Sequence, residues 1–307
     1  MDDKDWLASR FEEHRPQLRA VAYRMLGSLT EADDAIQDAW ERASRAGAGE
    51  VENLGGWLTT IVARVCLNTL RARRTRREEP AGVFVPDPVV TADGEVLPED
   101  EALMADSVGL ALQVVLDTLS PAERLAFVLH DLFDLPFEEI GPMVGRTAQA
   151  TRQLASRARR RVRGAEPAPQ RDLARQRAVV DAFFAAGRAG NFDALIAVLH
   201  PDVVLRADFS PGRPRRSAAV RGAAAVARQA RLGAGPVSEV IPVLVNGAAG
   251  VVIARHGRPL VVMAFTICQD KIVEINSIGD PERVGRLTAR LTHGADPGKG
   301  EPTGLTG

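Results

Sequence analysis

A chain of 307 residues with a formal net charge of −1, 45% hydrophobic and 26% charged, has length for two or three globular domains. It is no general polycation, so any affinity for nucleic acid must be local. Its two cysteines, Cys66 and Cys268, imply neither a disulfide framework nor a zinc site. The five histidines keep no metal-ligand spacing, and no phosphate loop or nucleophile elbow is present, so no cofactor or metal is expected. The start MDDKDWLASR lacks an apolar signal core, and no apolar run approaches the roughly 18–20 residues that span a bilayer. The expectation is a cytoplasmic protein away from membranes.

In chain order, the first distinctive segment is Glu31 to Glu41 (EADDAIQDAWE), with five acids and no base. Helical spacing puts Ile36, Ala39, Trp40 and Ala43 on a buried stripe and Asp34, Gln37, Asp38 and Glu41 together on the other face. Like charges at that spacing cost a few tenths of a kcal/mol per pair in an isolated helix. A basic protein partner would offset the cost; a solvated face is the other reading. Asp33 and Asp34 also lie near the helix start, where acids suit the dipole.

Thr60 to Arg77 (TIVARVCLNTLRARRTRR) reverses the sign, with six arginines and no acid. Leu58, Ile61, Val62 and Val65 form its apolar stripe, while Trp57, Thr60, Arg64, Asn68 and Arg71 share a different face. Tryptophan among arginines suits stacking on unpaired bases with backbone neutralisation. Equally, Trp57 could be core and the arginines a solvated end. Pro80 to Pro98 then carries four prolines, which break helices. Residues 79–106 read as a flexible acidic linker, whose acid-rich part, Asp93 to Asp106, is either solvated or imitates nucleic acid in a basic channel.

Val83 to Ile140 carries thirteen acids and one basic residue, Arg124, whereas Thr147 to Arg163 (TAQATRQLASRARRRVR) has six arginines and no acid. A solvated surface mixes its signs, so such segregation points to an element built for phosphates and base edges. Leu125, Val128, Leu129 and Leu132 mark a packed helix with Pro121 in its first turn. Phe137, Ile140 and Val144 mark a second helix, ended at Gly145-Arg146. Thr147 caps a third, whose Thr151, Leu154, Ala155, Ala158 and Val162 face inward. Gln149, Arg152, Gln153, Ser156, Arg159 and Arg163 face outward. This is a helix-turn-helix: Gln reads adenine edges and Arg guanine edges from the first turns, and later arginines grip phosphates.

Beyond Gly164, Pro167 and Pro169, residues 171–291 form a further domain. Val179, Val180, Phe183 and Phe184 face inward on its opening helix, and Phe192 to Leu199 follows. Asp202 to Phe209 (DVVLRADF) alternates as a strand; a helix is expected near Ala218 to Leu232. Val237 to Val245, Gly250 to Arg255 and Pro259 to Ser277, turning at Gln269-Asp270, read as strands. Helices followed by a strand-rich half are an α+β layout. Arg206, Asp208 and His256 are polar groups on or near these strands, but acid–base work demands a geometry that sequence does not give, and His256 beside Gly257 reads as a turn residue. No enzyme activity is expected. Residues 292–307 read as a disordered tail.

Residues from about 9 to 165 resemble an extracytoplasmic-function sigma factor, a promoter-recognition subunit of bacterial RNA polymerase. The carrying segments are LTEADDAIQDAWERA (29–43), GWLTTIVARVCLNTLRARRTRR (56–77) and Leu119 to Arg163, in the family's order and spacing. The resemblance implies two all-α sigma domains. Region 2 (9–78) docks on core RNA polymerase through Asp33, Asp34, Gln37 and Asp38, and engages the −10 element through Trp57, Arg64, Asn68, Arg71, Arg73 and Arg74. Region 4 (107–165) reads the −35 element of promoter DNA through Thr147, Gln149, Arg152, Gln153, Ser156, Arg159 and Arg160. The C-terminal domain resembles the SnoaL-like cone fused to a subgroup of these factors, a curved, mainly antiparallel sheet wrapped by helices. That subgroup's WLPEP-type linker motif is replaced by Phe84 to Pro88 (FVPDP), its glycine-rich loop by Asp208 to Pro214, and its Asn-Pro-Asp-Lys-Leu motif by Asp280 to Val284 (DPERV). The resemblance implies that Phe84, Pro86, Asp87, Pro88, Asp208, Asp280 and Pro281 join the cone to the sigma core and set activity, and that a cone pocket could hold a small ligand. The alternative is a stand-alone helix-turn-helix regulator with a ligand-sensing cone. The Glu31–Glu41 face discriminates, because only a sigma factor must dock it on a partner.

Overall fold

The computed structural model describes residues 3–47, 49, 51–75, 83–92, 110–165, 172–209, 218–233 and 239–293. Much of the acidic linker, the loop after Phe209 and the segment 294–307 lie outside these residues, so the linker's electrostatic mimicry and the disordered tail do too. Three helices open the chain: α1 (Asp3–Leu26), α2 (Leu29–Ala46) and α3 (Leu54–Thr75). Ser28 caps α2 by accepting from the Glu31 N–H, satisfying one of the orphan donors at a helix start. The expected stripes are buried: Ile36, Ala39 and Ala43 on α2, and Leu58, Val62 and Val65 on α3.

A short strand, β1 (Val90–Ala92), precedes four helices, α4 (Leu110–Asp117), α5 (Pro121–Phe127), α6 (Phe137–Val144) and α7 (Ala148–Ala165). Ser120 and Glu123 form a reciprocal capping box at the start of α5, with Pro121 in its first turn. The helix expected to run through Leu132 changes winding at Val128, where Val128–Leu132 form a π turn. Gly145 ends α6 in the left-handed conformation at φ 68°. A Cβ on Gly141 would meet the Arg146 carbonyl at 2.7 Å, so the tight turn into α7 requires glycine there.

The last domain contains α8 (Leu173–Arg188), α9 (Phe192–Val198), β2 (Leu199–Asp208), β3 (Ala218–Arg221), α10 (Ala223–Gly233), β4 (Glu239–Val245), β5 (Ala248–Arg255), β6 (Arg258–Cys268), β7 (Lys271–Ile278) and α11 (Pro281–His293). The sheet order is β1-β4-β5-β6-β7-β2-β3, antiparallel except for the parallel β2–β7 pair. This is the expected α+β layout, a mainly antiparallel sheet with helices packed on it, hereafter the cone. Two expectations shift in detail. Ala218–Arg221 is a strand rather than the start of a helix, because Gly222, at φ 93°, separates it from α10. The last helix reaches His293, past the boundary set at residue 291.

The larger correction concerns the linker. Residues 85–90 are buried, and β1 pairs with β4 in register Val90↔Val245. Asn246 fixes the junction, its side-chain oxygen accepting from the Val89 N–H at 2.7 Å. The prolines that suggested flexibility instead hold the chain extended, and β-branched Val85, Val89 and Val90 supply the burial. Pro86 and Pro88 lack N–H groups, which suits a segment joining a sheet at its edge.

One core cluster runs through α1–α3 and on through α4–α7, so the two helical domains are packed together. The cone has a second core, with Phe183, Phe184 and Phe265 in mutual edge contact beneath α8. A third cluster joins Val85, Val90 and Leu110 to the outer face of the sheet and to Val284 and Leu287 of α11. Among the described residues no helix is long and apolar enough to cross a membrane.

Candidate nucleic-acid interfaces and the junction that joins them

On α7, Gln149, Arg152, Gln153, Ser156 and Arg160 are exposed, with Thr151, Ala155, Ala158 and Val162 buried beneath them. The Thr147 hydroxyl accepts from the Ala150 N–H at 3.2 Å, as a cap should. Arg152 lies over the Phe137 ring, 5.2 Å from its centroid, which aims the guanidinium beside the first turns. Arg159 is placed differently: it is half-buried and its Nε donates to Asp131 at 2.5 Å. That pair braces α7 against the π turn, so Arg159 has a structural partner that its sequence position did not reveal.

On α3, Arg64, Asn68, Arg71 and Arg74 are exposed along one side. Trp57 is half-buried against the core, the packed alternative of its two readings. Arg73 turns away from the others to pair with Glu31 at the start of α2, and also donates to the Leu26 carbonyl at 3.4 Å. On α2, Asp34, Gln37 and Asp38 are exposed, whereas Asp33 accepts from Arg19 Nε at 2.6 Å.

The residues expected at the junction converge, and the group that gathers them is one sequence reasoning missed. Arg283, in the first turn of α11, donates through Nε to Asp87 at 2.8 Å, through one terminal nitrogen to Asp208 at 2.7 Å, and through the other to the Val85 carbonyl at 2.5 Å. Its guanidinium lies over the Phe84 ring, 5.2 Å from the centroid. Asp208 also accepts from the Val85 N–H at 3.0 Å, and Asp280 caps α11 by accepting from the Arg283 N–H at 2.9 Å. Pro281 opens that helix and is exposed; Pro86 and Pro88 are buried on either side of Asp87. One planar fork thus satisfies two carboxylates and a carbonyl, a geometry that lysine cannot reproduce.

Asp87 also faces region 2. Its side chain accepts from the Leu29 N–H at 3.3 Å, its N–H donates to the Gly27 carbonyl at 2.9 Å, and the Tyr23 hydroxyl donates to its carbonyl at 2.5 Å. Burial pushes the Tyr23 phenol up to about 12, so it stays a donor at physiological pH. Beside the junction, a cavity of about 200 Å³ is lined by Arg19, Thr30 and Asp33 of region 2 and by Arg283, Arg286 and Arg290 of α11. The cone therefore reaches the start of the acidic α2 face.

A second junction joins the two helical domains. Arg124 of α5 is 3% exposed; its Nε donates to the Arg24 carbonyl at the end of α1 at 3.0 Å, and a terminal nitrogen pairs with Asp117. Gln113 donates to the Tyr23 carbonyl at 3.1 Å. Polar groups of region 4 thereby satisfy the orphan carbonyls at the C-terminus of α1.

Among the three polar cone residues, Arg206 pairs with Glu274 at 2.6 Å, Asp208 belongs to the junction, and His256 sits in the β5–β6 turn at φ 52°. Their partners are separate, and no group of three or more metal-ligating side chains occurs among the described residues.

Comparison with known proteins adds an independent line. The Sigma-70 region 2 family matches residues 10–76 and the Sigma-70 region 4 family matches residues 109–162. The chain is 32% identical over 295 residues to a Mycobacterium tuberculosis protein described as probable ECF RNA polymerase sigma factor SigI, covering 96% of this chain and all of that one. It is 36% identical to ECF RNA polymerase sigma factor SigJ of M. tuberculosis, covering 90% of this chain and 92% of the other. A crystal structure of that SigJ superposes with a TM-score of 0.69 at 33% identity, over 90% of this chain and 97% of the other.

Proposed function

The chain belongs to the extracytoplasmic-function sigma factors of bacterial RNA polymerase, and from that premise we propose that its cone holds the factor closed until polymerase or a signal releases it. As a sigma factor it binds core polymerase and promoter DNA. The observation that carries closure is the shared core of regions 2 and 4, locked on one side by Arg124 and on the other by Arg283. Elements at positions −10 and −35 lie about 25 base pairs apart, or about 85 Å of duplex at roughly 3.4 Å per pair. A compact body of about 160 residues has a radius of gyration near 15 Å. Regions 2 and 4 packed on one core do not bridge that distance, so promoter engagement requires them to part.

In the open factor, Asp34, Gln37 and Asp38 dock on core polymerase, joined by Asp33 once Arg19 is displaced. Arg64, Asn68, Arg71 and Arg74 take the −10 element, and Gln149, Arg152 and Gln153 read the −35 element while Ser156 and Arg160 hold phosphates. The cone works as a regulatory module, since its polar strand residues are spent on internal pairs. The test is in vitro transcription with purified core polymerase, comparing the full chain, a chain ending at Gln170 and Arg283→Ala. Initiation should rise in both altered forms. Equal or weaker initiation by Arg283→Ala in a folded protein would overturn closure by the junction.

A further inference from the structure

A cleft of about 700 Å³ opens between the two DNA-reading domains, away from the cone junction, lined by Arg71, Arg74 and Thr75 of α3 and by Ser120, Pro121, Ala122, Arg146 and Leu154 of region 4. Its charge is one-sided. Arg71, Arg74 and Arg146 are exposed, and among the described residues none has an ion-pair partner. No carboxylate is among the described lining residues, and Glu123, bonded to the hydroxyl of lining Ser120 at 2.7 Å, is paired with Arg161 at 3.1 Å. Three guanidiniums around one cleft repel one another, and an anion removes that cost. Pro121, Ala122 and half-buried Leu154 form an uncharged wall beside them.

We propose that this cleft binds a nucleoside polyphosphate, and that occupancy stabilises the closed factor. Guanidinium forks match phosphate oxygens in pairs, and three of them offset the charge of a nucleoside diphosphate and most of that of a triphosphate. The volume lies in the range of small-molecule sites of about 300–1,000 Å³, larger than a bare phosphate fills. The uncharged wall offers the ring a surface. The site is composite: two arginines come from the −10 helix and the third from the helix-turn-helix, so it exists only while those domains are docked. It therefore rests on the closed reading. A ligand that binds only the closed form at a hundred times its Kd shifts the equilibrium about a hundredfold toward closure, and it occupies two arginines that the promoter needs.

The test uses the full chain carrying a donor–acceptor pair on regions 2 and 4, titrated with ATP, GTP and inorganic triphosphate by calorimetry and energy transfer. ATP or GTP should bind and keep the labels close under conditions that otherwise separate them. Arg146→Ala should weaken binding at least tenfold; Arg255→Ala, an exposed arginine of the cone outside the cleft, should leave it unchanged. Equal weakening by both variants, or none by Arg146→Ala, would reduce the effect to general anion attraction and overturn the site. Inorganic triphosphate binding as tightly as ATP would overturn the nucleoside assignment, and displacement by an oligoglutamate peptide but not by nucleotides would replace it with a protein partner. Labels far apart in the free chain would sink the closed reading itself, whereas a closed chain indifferent to nucleotides sinks the cleft alone.

Discussion

The two junctions that close this molecule use the same chemistry on different scaffolds. Arg124 enters a continuous apolar core and satisfies carbonyls at the end of a helix, with Asp117 as counter-charge. Arg283 sits where three chain segments meet, beside the apolar cluster that joins Val85 and Val90 to Val284 and Leu287, and is held by Asp87, Asp208 and a carbonyl. Breaking a desolvated ion pair by removing one partner costs several kcal/mol, while replacing the whole pair by apolar groups is often neutral. Contacts of this kind hold firmly when complete and fail when one member is taken away, so each acts as a latch on apolar surfaces that are already in contact.

The contrast predicts a ranking. Arg124→Ala should destabilise the full chain by about 3–4 kcal/mol, because it leaves buried α1 carbonyls without their donor and opens a gap where the guanidinium sat, while solvent-accessible Asp117 loses only its counter-charge; urea unfolding measures it, and a loss under 1 kcal/mol would show that the apolar core alone docks the helical domains. Arg283→Ala should cost about 3 kcal/mol but release the linker and cone without melting regions 2 and 4, read as new protease cleavage near residues 83–92. Arg283→Lys should recover little, since an ammonium cannot reach both carboxylates and the Val85 carbonyl. If lysine restores wild-type protection, the planar fork is not what holds the junction. Arg152→Ala should leave closure intact and weaken −35 binding by about 1–3 kcal/mol; equal loss on scrambled DNA would make Arg152 a phosphate contact.

Acid should probe the region 4 side by itself. Burial opposes charge on Glu123, but bonds from the Ser120 hydroxyl and N–H and the field of Arg161 outweigh it and set its carboxyl below the usual range. A depressed carboxyl contributes stability that is present above its unfolded value and disappears as pH falls through the folded one. Glu123→Gln should therefore flatten the loss of melting temperature on acidification, and an unchanged slope would assign acid sensitivity elsewhere. The smallest effect on closure should come from Asp34→Lys with Asp38→Lys, exposed changes worth under about 0.5 kcal/mol of stability. The same pair should abolish core-polymerase binding, and retained binding would remove α2 from the docking role.

What sequence revealed follows from how local the cause is. The outward face of α7, the helix start at Pro121 and the β6–β7 turn at Gln269-Asp270, both at positive φ, are decided by neighbours within four residues. The linker was misjudged because FVPDPVV reads as breakers in isolation; its partner strand, Glu239–Val245, lies far along the chain. The short run AAVR carries no strand signal of its own and forms β3 only because β2 offers an edge. Arg283 escaped notice inside DPERV, which reads as a capped helix start. A signal was present nonetheless: Asp87 stands among apolar residues with no cation near it in sequence, and a buried carboxylate requires one.

The linker strand also makes the cone discontinuous in the chain, with all of region 4 inserted between β1 and the rest of its sheet. On the ribosome, β1 emerges about 150 residues before β4, a wait of about 8–30 seconds at elongation rates of about 5–20 residues per second. Region 2 and region 4 are thus made and folded while Asp87 has neither Asp208 nor Arg283 to meet. On the proposed closure, each newly synthesised molecule passes through an interval in which both promoter-reading regions are complete before the cone can grip Asp87, so a burst of synthesis would deliver activity before it delivers control.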